Sequence, residues 1–413
     1  MATLVAAPAP SRTVLGHAAP DGVQPARWGA VYAMALCSFV LVASEFLPVS
    51  LLSPIAETLR LTEGQAGQAI AISGVFAVVT SLSFSVLLGR IDRRYVVLAL
   101  IAMLIVSGAM VAFAPSYFLF MTGRALLGVA IGGFWSMSAS IAIRLVPADS
   151  VGKALAIISG GTALATALAA PLGSFLGSII GWRGAFFCVV PVAVGALVWQ
   201  ALALPKLPVA ERQSARAMVG LLRSRAVLLG LFAVAMLFVG QFALFTYLRP
   251  FLEQVTHVSV VMLSVMLLIV GVSGFVGTLV IGRFIVGSVF VTLWALPAVM
   301  AVVAVLLAVF GGSTIGTAAL LAVWGFAGTA APVAWWTWLA RTLPDDAEAG
   351  GGLMVAVVQL AITLGATVGG IVYDTAGAVA EFLSSAALLG VAALAALAVA
   401  RYAGRDVAAR DGQ

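Results

Sequence analysis

Long apolar runs tile almost the whole chain and restrict the environment in which it can fold. Between short breaks rich in charged residues, proline or glycine, each run is about 20 residues long, the length that a helix needs to cross a bilayer core. Of the 413 residues, 63% are hydrophobic and only 9% are charged, whereas soluble domains carry about a quarter charged residues. The pattern therefore predicts an all-α, multi-pass membrane protein.

The runs divide the sequence into about twelve predicted crossings. The first six lie at residues 28–53, 67–88, 95–113, 118–146, 154–178 and 185–204, and the last six at residues 226–248, 259–282, 289–310, 314–340, 352–373 and 379–401. We expect a disordered cytoplasmic tail at 1–27, six-helix bundles at 28–204 and 226–401, a cytoplasmic linker at 205–225, and a second cytoplasmic tail at 402–413.

Short sequence motifs recur at corresponding positions in the two predicted bundles. Arg144-Leu-Val-Pro147 follows the fourth crossing and Arg341-Thr-Leu-Pro344 follows the tenth, while Gly173 and Gly370 stand at the same offset. Parallel six-helix repeats related by an axis along the membrane normal are a known transporter architecture. The recurring motifs favour two pseudo-symmetric halves.

Basic residues indicate the orientation of the chain. About 17 of them fall in the two tails or in loops on the side of the N-terminus, where the positive-inside rule places the cytoplasm. The sequence therefore predicts a multi-pass membrane protein with both termini in the cytoplasm. The net charge of +6 is explained by these loops, and no nucleic-acid partner is expected.

Glu45 is the single acidic residue that we place deep within a predicted crossing. A charge at this depth costs at least about 2.5 kcal/mol and usually faces a cavity or a proton pathway. Burial favours the neutral form of a carboxyl group, which allows proton exchange near neutral pH. The residue types favour a proton-carrying role, and a structural glutamate is the alternative.

Arg124 is the predicted partner of Glu45. It lies roughly 9 Å and Glu45 roughly 13 Å below the same membrane face, at 1.5 Å per residue. The depths allow an ion pair whose formation and loss would control proton release. An arginine that snorkels to the interface is the alternative.

Asp92 stands between the second and third crossings beside Arg93 and Arg94. The arginines fit the topology signal, but an acid adds nothing to it. A carboxylate is stabilised at a helix N-terminus, and the eleventh helix begins on this side at about Gly350. We therefore expect Asp92, Arg93 and Arg94 to form a latch between the halves, with a solvated loop as the alternative.

The fifth crossing contains a run of small residues around a proline, and polar or aromatic residues occur in four other crossings. Small residues let helices approach closely, and a proline bends the helix. Aromatic rings stack on planar ligands, and amides can read base edges; interfacial tryptophans and packing glutamines are the alternative. The small-residue positions are Pro171, Gly173 and Gly177, and the candidate substrate contacts are Trp135, Ser138, Gln241, Phe245, Trp335, Gln359 and Thr363.

Three sets of residues resemble the drug/proton antiporter branch of the major facilitator superfamily. They are Asp92-Arg93-Arg94, Arg124 through Gly128, and Pro171-Leu-Gly173 followed by Gly181-Trp182-Arg183. Longer stretches, such as residues 45–52 and 132–140, are similar to the sugar and nucleoside exporters, and most of all to the bacterial purine ribonucleoside efflux permeases. The likeness runs from about residue 28 to residue 374, although the loop motif at Asp92 is compressed relative to the superfamily pattern.

The resemblance implies the major facilitator fold, a location in the bacterial inner membrane, and proton-driven export of purine ribonucleosides such as inosine and guanosine. It implies that Glu45 carries the proton with Arg124 as its partner, and that Asp92 is the latch. It implies no cofactor, since the proton gradient supplies the energy. We expect a monomer that contacts a small-molecule substrate, protons and lipid.

Other functions stay open at this point. An exporter of sugars or hydrophobic drugs would use the same machinery. An intramembrane enzyme is disfavoured because the predicted crossings hold no histidine, and Cys37 and Cys188 form no metal or redox motif. A sensor that binds without transporting is a third possibility.

Overall fold

The computed structural model describes residues 26–87, 91–208, 220–343 and 347–411, and these are almost entirely helical. The helices are α1 (Trp28–Leu59), α2 (Glu63–Leu87), α3 (Arg93–Ala112), α4 (Tyr117–Leu145), α5 (Val151–Phe187), α6 (Val189–Ala203), α7 (Arg225–Thr246), α8 (Leu248–Gln254), α9 (Val260–Phe310), α10 (Thr314–Thr342) and α11 (Ala347–Asp411). A short 3-10 helix, Ala148–Ser150, precedes α5.

The described residues contain ten helical stretches that are long and apolar enough to cross a membrane. Two of them, Val151–Ala203 and Gly350–Tyr402, are 53 residues long, enough for two crossings each at about 20 residues per crossing. Each folds back at a glycine with positive φ, Gly181 (74°) and Gly377 (83°), a conformation that glycine adopts without steric cost. Counted in this way, the helices make the twelve crossings that the apolar runs predict.

Two long helices are divided into named parts. Ser288 has an extended backbone (φ −163°, ψ 104°) and separates α9a (residues 260–287) from α9b (residues 289–310). Gly377 separates α11a (residues 347–376) from α11b (residues 378–411). The end of the bundle where α1 begins is called the tail side, and the end where α1 finishes is called the far side.

Some predicted boundaries differ from the structure. The first crossing was expected to end at Ser53, because Pro54 would ordinarily break a helix, but α1 continues to Leu59 and ends where Arg60 adopts a left-handed conformation. The predicted tail at 402–413 begins as a continuation of α11. Residues 1–25 of the first tail and 209–219 of the linker lie outside the described residues, so the division into bundles at 205–225 stays a prediction.

The helices pack closely at small residues and leave large apolar side chains on the outside. A Cβ atom on Gly132 of α4 would meet the backbone oxygen of Ala77 in α2, so only glycine permits this approach. Side chains such as Phe118, Leu202 and Ile315 are 80%, 83% and 84% exposed, as expected for a surface that faces lipid. Across the chain, α2 packs on α11 and α5 packs on α9.

Candidate functional site

Glu45 lies in α1 where the first six crossings (the N-terminal half) meet the last six (the C-terminal half). Its side chain is 5% exposed. Its Oε1 accepts a 3.5 Å hydrogen bond from Nε2 of Gln359 in α11a. The carboxyl group that was expected to carry a proton is thus buried between the halves and contacts an amide of the opposite half.

Arg124 reaches Glu45, but not through its carboxylate. The guanidinium donates to the backbone oxygens of Ser44 (2.6 Å) and Glu45 (3.0 Å) in α1 and to that of Ala69 (2.8 Å) in α2. Among the described residues the two charged groups form no ion pair. Arg124 thus contacts the backbone of Glu45, whereas its pairing with the carboxylate stays a prediction, because backbone acceptors occupy the guanidinium in this conformation.

A proline explains why α1 offers Arg124 an acceptor. In a regular helix the N–H of residue 48 would donate to the oxygen of Ser44, but Pro48 has no N–H. Arg124 replaces that missing donor. An unsatisfied backbone group in a membrane costs several kcal/mol, so the arginine stabilises the bend in α1 directly beside Glu45.

At two other prolines, too, a side chain donates to the helix oxygen that the proline leaves without its backbone donor. Pro54 frees the oxygen of Ser50, which accepts from Nη1 of Arg249 in the opposite half. Pro332 in α10 frees the oxygen of Gly328, and Nε2 of Gln241 donates to it at 3.1 Å. Gln241, predicted as a substrate contact, therefore uses one end of its amide for structure. Its Oε1 is buried without a partner among the described residues.

Four phenylalanines form an aromatic cluster beside Glu45. Phe46 of α1 stacks on Phe242 of α7 with centroids 5.5 Å apart, and its ring meets Phe245 edge-on at 6.3 Å. Phe238 stacks on Phe242 at 6.2 Å, nearly parallel. The cluster joins the two halves, because Phe46 belongs to α1 and the other three rings belong to α7.

The predicted substrate contacts divide into two groups. Gln359 and Phe245 lie at Glu45 and in the aromatic cluster, and Thr363 donates to the backbone oxygen of Ala71 across the halves at 3.3 Å. Trp135 and Phe46 pack against the same small group of apolar residues, which belong to α1 and α5. Ser138 and Trp335 form the second group, which lies away from Glu45.

Ser138 and Trp335 are turned toward the protein interior. The hydroxyl of Ser138 donates to the backbone oxygen of Trp135 at 3.4 Å. Trp335 is 1% exposed, and its ring meets Trp338 edge-on at 5.4 Å in the core of the C-terminal half. Its indole N–H has no partner among the described residues. In this conformation neither residue joins the group around Glu45.

The far side of the molecule is closed by polar contacts between the halves. Oδ1 of Asp374, at the end of α11a, accepts from the backbone N–H of Gly64 (2.9 Å), and its Oδ2 accepts from the hydroxyl of Thr62 (2.6 Å). The carboxylate thus lies at the N-terminus of α2, where the helix dipole favours a negative charge. Arg249, bonded to the Ser50 oxygen, also pairs with Glu253 at 2.9 Å. We call Asp374, Thr62, Gly64, Arg249 and Ser50 the far-side contacts.

Hydrogen bonds between the halves are distributed unevenly along the membrane normal. In the part of the chain that the structure describes, they run from the far-side contacts, through Ser264 with Ser174 and Thr367 with Gln68, to Gln359 with Glu45. None of those described lies between Glu45 and the tail side. The halves are therefore fastened together at the far side.

Asp92 makes its contacts within the N-terminal half and the linker. Its Oδ1 accepts from the backbone N–H groups of Arg94 and Leu207, both at 2.9 Å, and the backbone N–H of Arg93 donates to the Leu207 oxygen. Although burial acts to raise it, these two hydrogen bonds hold the pKa of Asp92 below its ordinary value. No described hydrogen bond joins Asp92 to α11, and residues 344–346 before that helix lie outside the described residues, so the latch of Asp92, Arg93 and Arg94 stays a prediction.

The small residues of α5 pack against α1. Pro171 is buried, a Cβ atom on Gly173 would meet the Ser50 hydroxyl, and one on Gly177 would meet Leu51. The motif therefore sets the distance between the two helices just beyond Glu45. This arrangement supports the packing role expected of these residues.

Sequence reasoning missed two features of the site. Glu45 is not the only acid enclosed within a crossing, because Glu381 in α11b is 0% exposed. It lies so close to the start of the last apolar run that it read as an edge residue. The aromatic cluster was missed because phenylalanine in an apolar run carries no signal of its own; the i, i+3 and i, i+4 spacing of Phe238, Phe242 and Phe245 was the available hint.

The fold and the site can be compared with known proteins. The family model described as Major Facilitator Superfamily matches residues 34–354. The chain belongs to the major facilitator superfamily. It is therefore a membrane transporter of small molecules and not an enzyme, as the sequence resemblance implied.

Two relatives match almost the whole chain. The Pseudomonas aeruginosa protein named "Transcription regulatory protein OpdE" is 54% identical over 382 residues, covering 92% of this chain and 95% of the relative. The Salmonella typhimurium protein named "Purine ribonucleoside efflux pump NepI" is 42% identical over 381 residues, covering 92% of this chain and 96% of the relative.

Solved structures confirm the fold. A bacterial homologue of the human lysosomal transporter Spinster, in an inward-facing and unoccupied conformation, superposes with a TM-score of 0.77 at 16% identity, covering 92% of this chain and 98% of that one. The human organic anion transporter MFSD10 superposes with a TM-score of 0.66 at 19% identity, covering 90% and 99%.

Proposed function

We propose that this transporter is a proton-coupled antiporter that exports purine ribonucleosides of the inosine and guanosine type. The observation that carries the proposal is the position of Glu45. Its carboxyl group is buried between the halves, and its described polar contact is a neutral amide. A carboxyl group in such a place exchanges a proton when the surroundings open to water.

The surroundings of Glu45 support a purine nucleoside as the exported molecule. Phe46 and Phe245 are the partly exposed rings of the aromatic cluster on which a purine ring can stack, and the amides of Gln359 and Gln241 supply donors and acceptors for base edges and ribose hydroxyls. The similarity to the Salmonella efflux pump agrees with this substrate class. The name of the Pseudomonas relative refers to transcription regulation and does not indicate a transported substrate.

The positions of the basic residues support tails in the cytoplasm. With that orientation the far side is the periplasmic side, and the conformation is inward-facing. A nucleoside entering from the cytoplasm displaces the proton of Glu45, which leaves to the cytoplasm. The loaded protein reopens on the far side, releases the nucleoside, and takes up a new proton there.

Proton release from everted membrane vesicles tests the proposal. We expect added inosine to release protons from vesicles that contain the native protein, and Glu45→Gln to abolish this release because an amide cannot carry the proton. Glu57→Gln is the matched control, since Glu57 is an exposed acid on the same helix. A response that survives in Glu45→Gln would place the proton site elsewhere.

The same assay separates the substrate classes. If sugars or hydrophobic cationic drugs release protons and purine nucleosides do not, the antiport mechanism stands and the substrate proposal fails. Those compounds are the second candidate because the aromatic cluster could also stack on sugar rings or drug rings.

A further inference from the structure

A second acid, Glu381, is enclosed in the C-terminal half without a described partner. It lies about one turn past the junction at Gly377 and is 0% exposed. Neither carboxylate oxygen has a hydrogen-bond partner among the described residues. Its neighbour Phe382 stacks on Phe251 at 4.0 Å, and Ser385 donates to the Gly240 oxygen at 2.6 Å. The residue is therefore sealed against α7 and α8.

The enclosure restricts the charge that Glu381 can carry. An ionised carboxylate without a partner in an apolar interior is far too costly to persist, so the group holds a proton in this conformation. Even neutral, a buried polar group without a hydrogen bond costs about 1–3 kcal/mol. An apolar residue of similar size would stabilise this conformation better, so the packing seen here does not explain the acid.

The groups around Glu381 lead toward the boundary between the halves. Tyr247 and Tyr373 lie within electrostatic range of Glu381, and their rings stack at 5.3 Å. Glu63 and Asp374 lie within the same range of the two tyrosines. The Tyr247 hydroxyl donates to a backbone oxygen in α11a and lies against α2 of the opposite half.

The arginine of α8 is already engaged by other groups. Arg249 is committed to the Ser50 oxygen and to Glu253, so its described contacts do not include Glu381. In this conformation the Tyr247 hydroxyl lies against Gly67 of α2, and the far-side contacts hold α2 in place. Separation of the halves at the far side would remove α2 from Tyr247 and admit water toward Glu381.

We propose that Glu381 is a second proton-binding site, which exchanges its proton with the far-side compartment when the far-side contacts open. The proposal rests on the antiport function proposed above. In the open state the O–H bond of the acid breaks and the proton passes to water, leaving a hydrated carboxylate. The far side can close again only after a proton from that compartment has restored the neutral acid, because no described residue of the closed structure partners the anion. Closure is thereby coupled to proton uptake.

Infrared difference spectroscopy of the purified full-length protein in lipid nanodiscs tests the proposal without a substrate. The C=O stretch of a protonated, buried carboxylic acid is resolved from that of a carboxylate. We expect a protonated-acid band that is lost in Glu381→Gln and retained in Glu57→Gln. In Asp374→Asn, which weakens the far-side contacts, hydrogen–deuterium exchange of this band should be faster. An unchanged band in Glu381→Gln, or unchanged exchange in Asp374→Asn, overturns the proposal.

Transport by reconstituted protein provides the functional test. We expect inosine counterflow by the native protein to slow as the pH of the far-side compartment rises, because an ionised Glu381 delays closure, and we expect Glu381→Gln, which stays neutral, to lose this pH dependence. Glu381→Asp, which keeps a titratable group, should restore the pH dependence and guards against a folding defect in the amide variant. The same pH dependence in Glu381→Gln and in the native protein would refute the second site. If the native protein ignores inosine, the substrate proposal fails while the infrared result still decides the role of Glu381.

Discussion

Three prolines and three long polar side chains define the chemistry of this protein at the scale of residues. Each proline leaves a helix carbonyl without its usual donor, and Arg124, Arg249 or Gln241 supplies a donor from another helix. Bends in the helices are thus tied to particular contacts between helices. Two of these contacts lie within a half, whereas Arg249 joins the halves, so its contact must break when the far side opens.

Arg124→Lys is expected to destabilise the protein. Lysine cannot reproduce the planar set of donors that serves three backbone oxygens, and each buried oxygen left without a donor costs about 1–3 kcal/mol. Thermal unfolding in detergent should show a clear fall in the melting temperature. Arg183→Lys is the control, because Arg183 donates to one described oxygen, that of Ala114, and a smaller fall is expected. Equal melting temperatures for the two variants would contradict the bracing role of Arg124.

Phe46→Leu is expected to weaken nucleoside binding while leaving the fold intact. Stacking of a base on an aromatic ring is worth about 1–3 kcal/mol, so the KM for inosine should rise roughly tenfold or more. Phe113→Leu serves as the control, since Phe113 is 68% exposed and meets Phe187 edge-on away from the site. An unchanged KM in Phe46→Leu would remove the aromatic cluster from the substrate site.

The sequence identified individual site residues unequally, for physical reasons. Glu45 and Arg124 stand out because charges are rare at bilayer depth. The contact of Arg124 with backbone oxygens could not be predicted, because it depends on the direction in which α1 bends at Pro48. Glu381 escaped notice since its burial results from the tight junction at Gly377, which places the start of α11b inside the protein.

At the scale of secondary structure elements, α2 and α11a are the two helices that we expect to contact each other at opposite ends in alternate conformations. On the far side the carboxylate of Asp374, at the end of α11a, caps the N-terminus of α2. On the tail side Asp92, beyond the end of α2, was expected to cap the start of α11. The two aspartates are arranged reciprocally; the structure shows the first contact formed, and no described hydrogen bond makes the second. We expect each to hold one end of the pair closed in alternate conformations.

Asp374→Ala is expected to shift the protein toward conformations that are open on the far side. The substitution removes the cap from α2 and two hydrogen bonds between the halves. Spin labels at Glu57 and Ala376, both exposed near the far side, should report a larger population of long distances by pulsed electron resonance. Thr375→Val is the control, because the Thr375 hydroxyl donates within its own helix. Identical distance distributions in the native protein and Asp374→Ala would show that this contact does not hold the far side closed.

The number and order of the helices could be predicted well, because the thickness of the bilayer fixes the length of each apolar run. Boundaries beside prolines were less accurate, since Pro54 is accommodated within α1 once Arg249 satisfies the freed oxygen. The contacts between the halves could not be predicted, because they depend on which conformation the transporter occupies.

At the scale of the whole molecule, the distribution of basic residues sets the expected orientation. Truncated fusions to green fluorescent protein test it, because this reporter fluoresces after folding in the cytoplasm. A fusion after Pro208 should fluoresce and a fusion after Ala376 should not, with protein amounts compared by immunoblot. The reverse pattern would invert the membrane orientation and with it the direction of transport proposed above.

The two glycine junctions have a consequence for how the molecule responds to its lipid. Gly181 (φ 74°, ψ 165°) and Gly377 (φ 83°, ψ 175°) have nearly the same backbone conformation, and each joins two crossings without an intervening loop. Neither crossing of such a pair can tilt without its neighbour. A bilayer that is too thick or too thin, which single helices accommodate by tilting, must therefore turn both pairs as units. The α11 pair carries Asp374 and Glu381, so the thickness of the surrounding membrane acts directly on the balance between the two transport conformations.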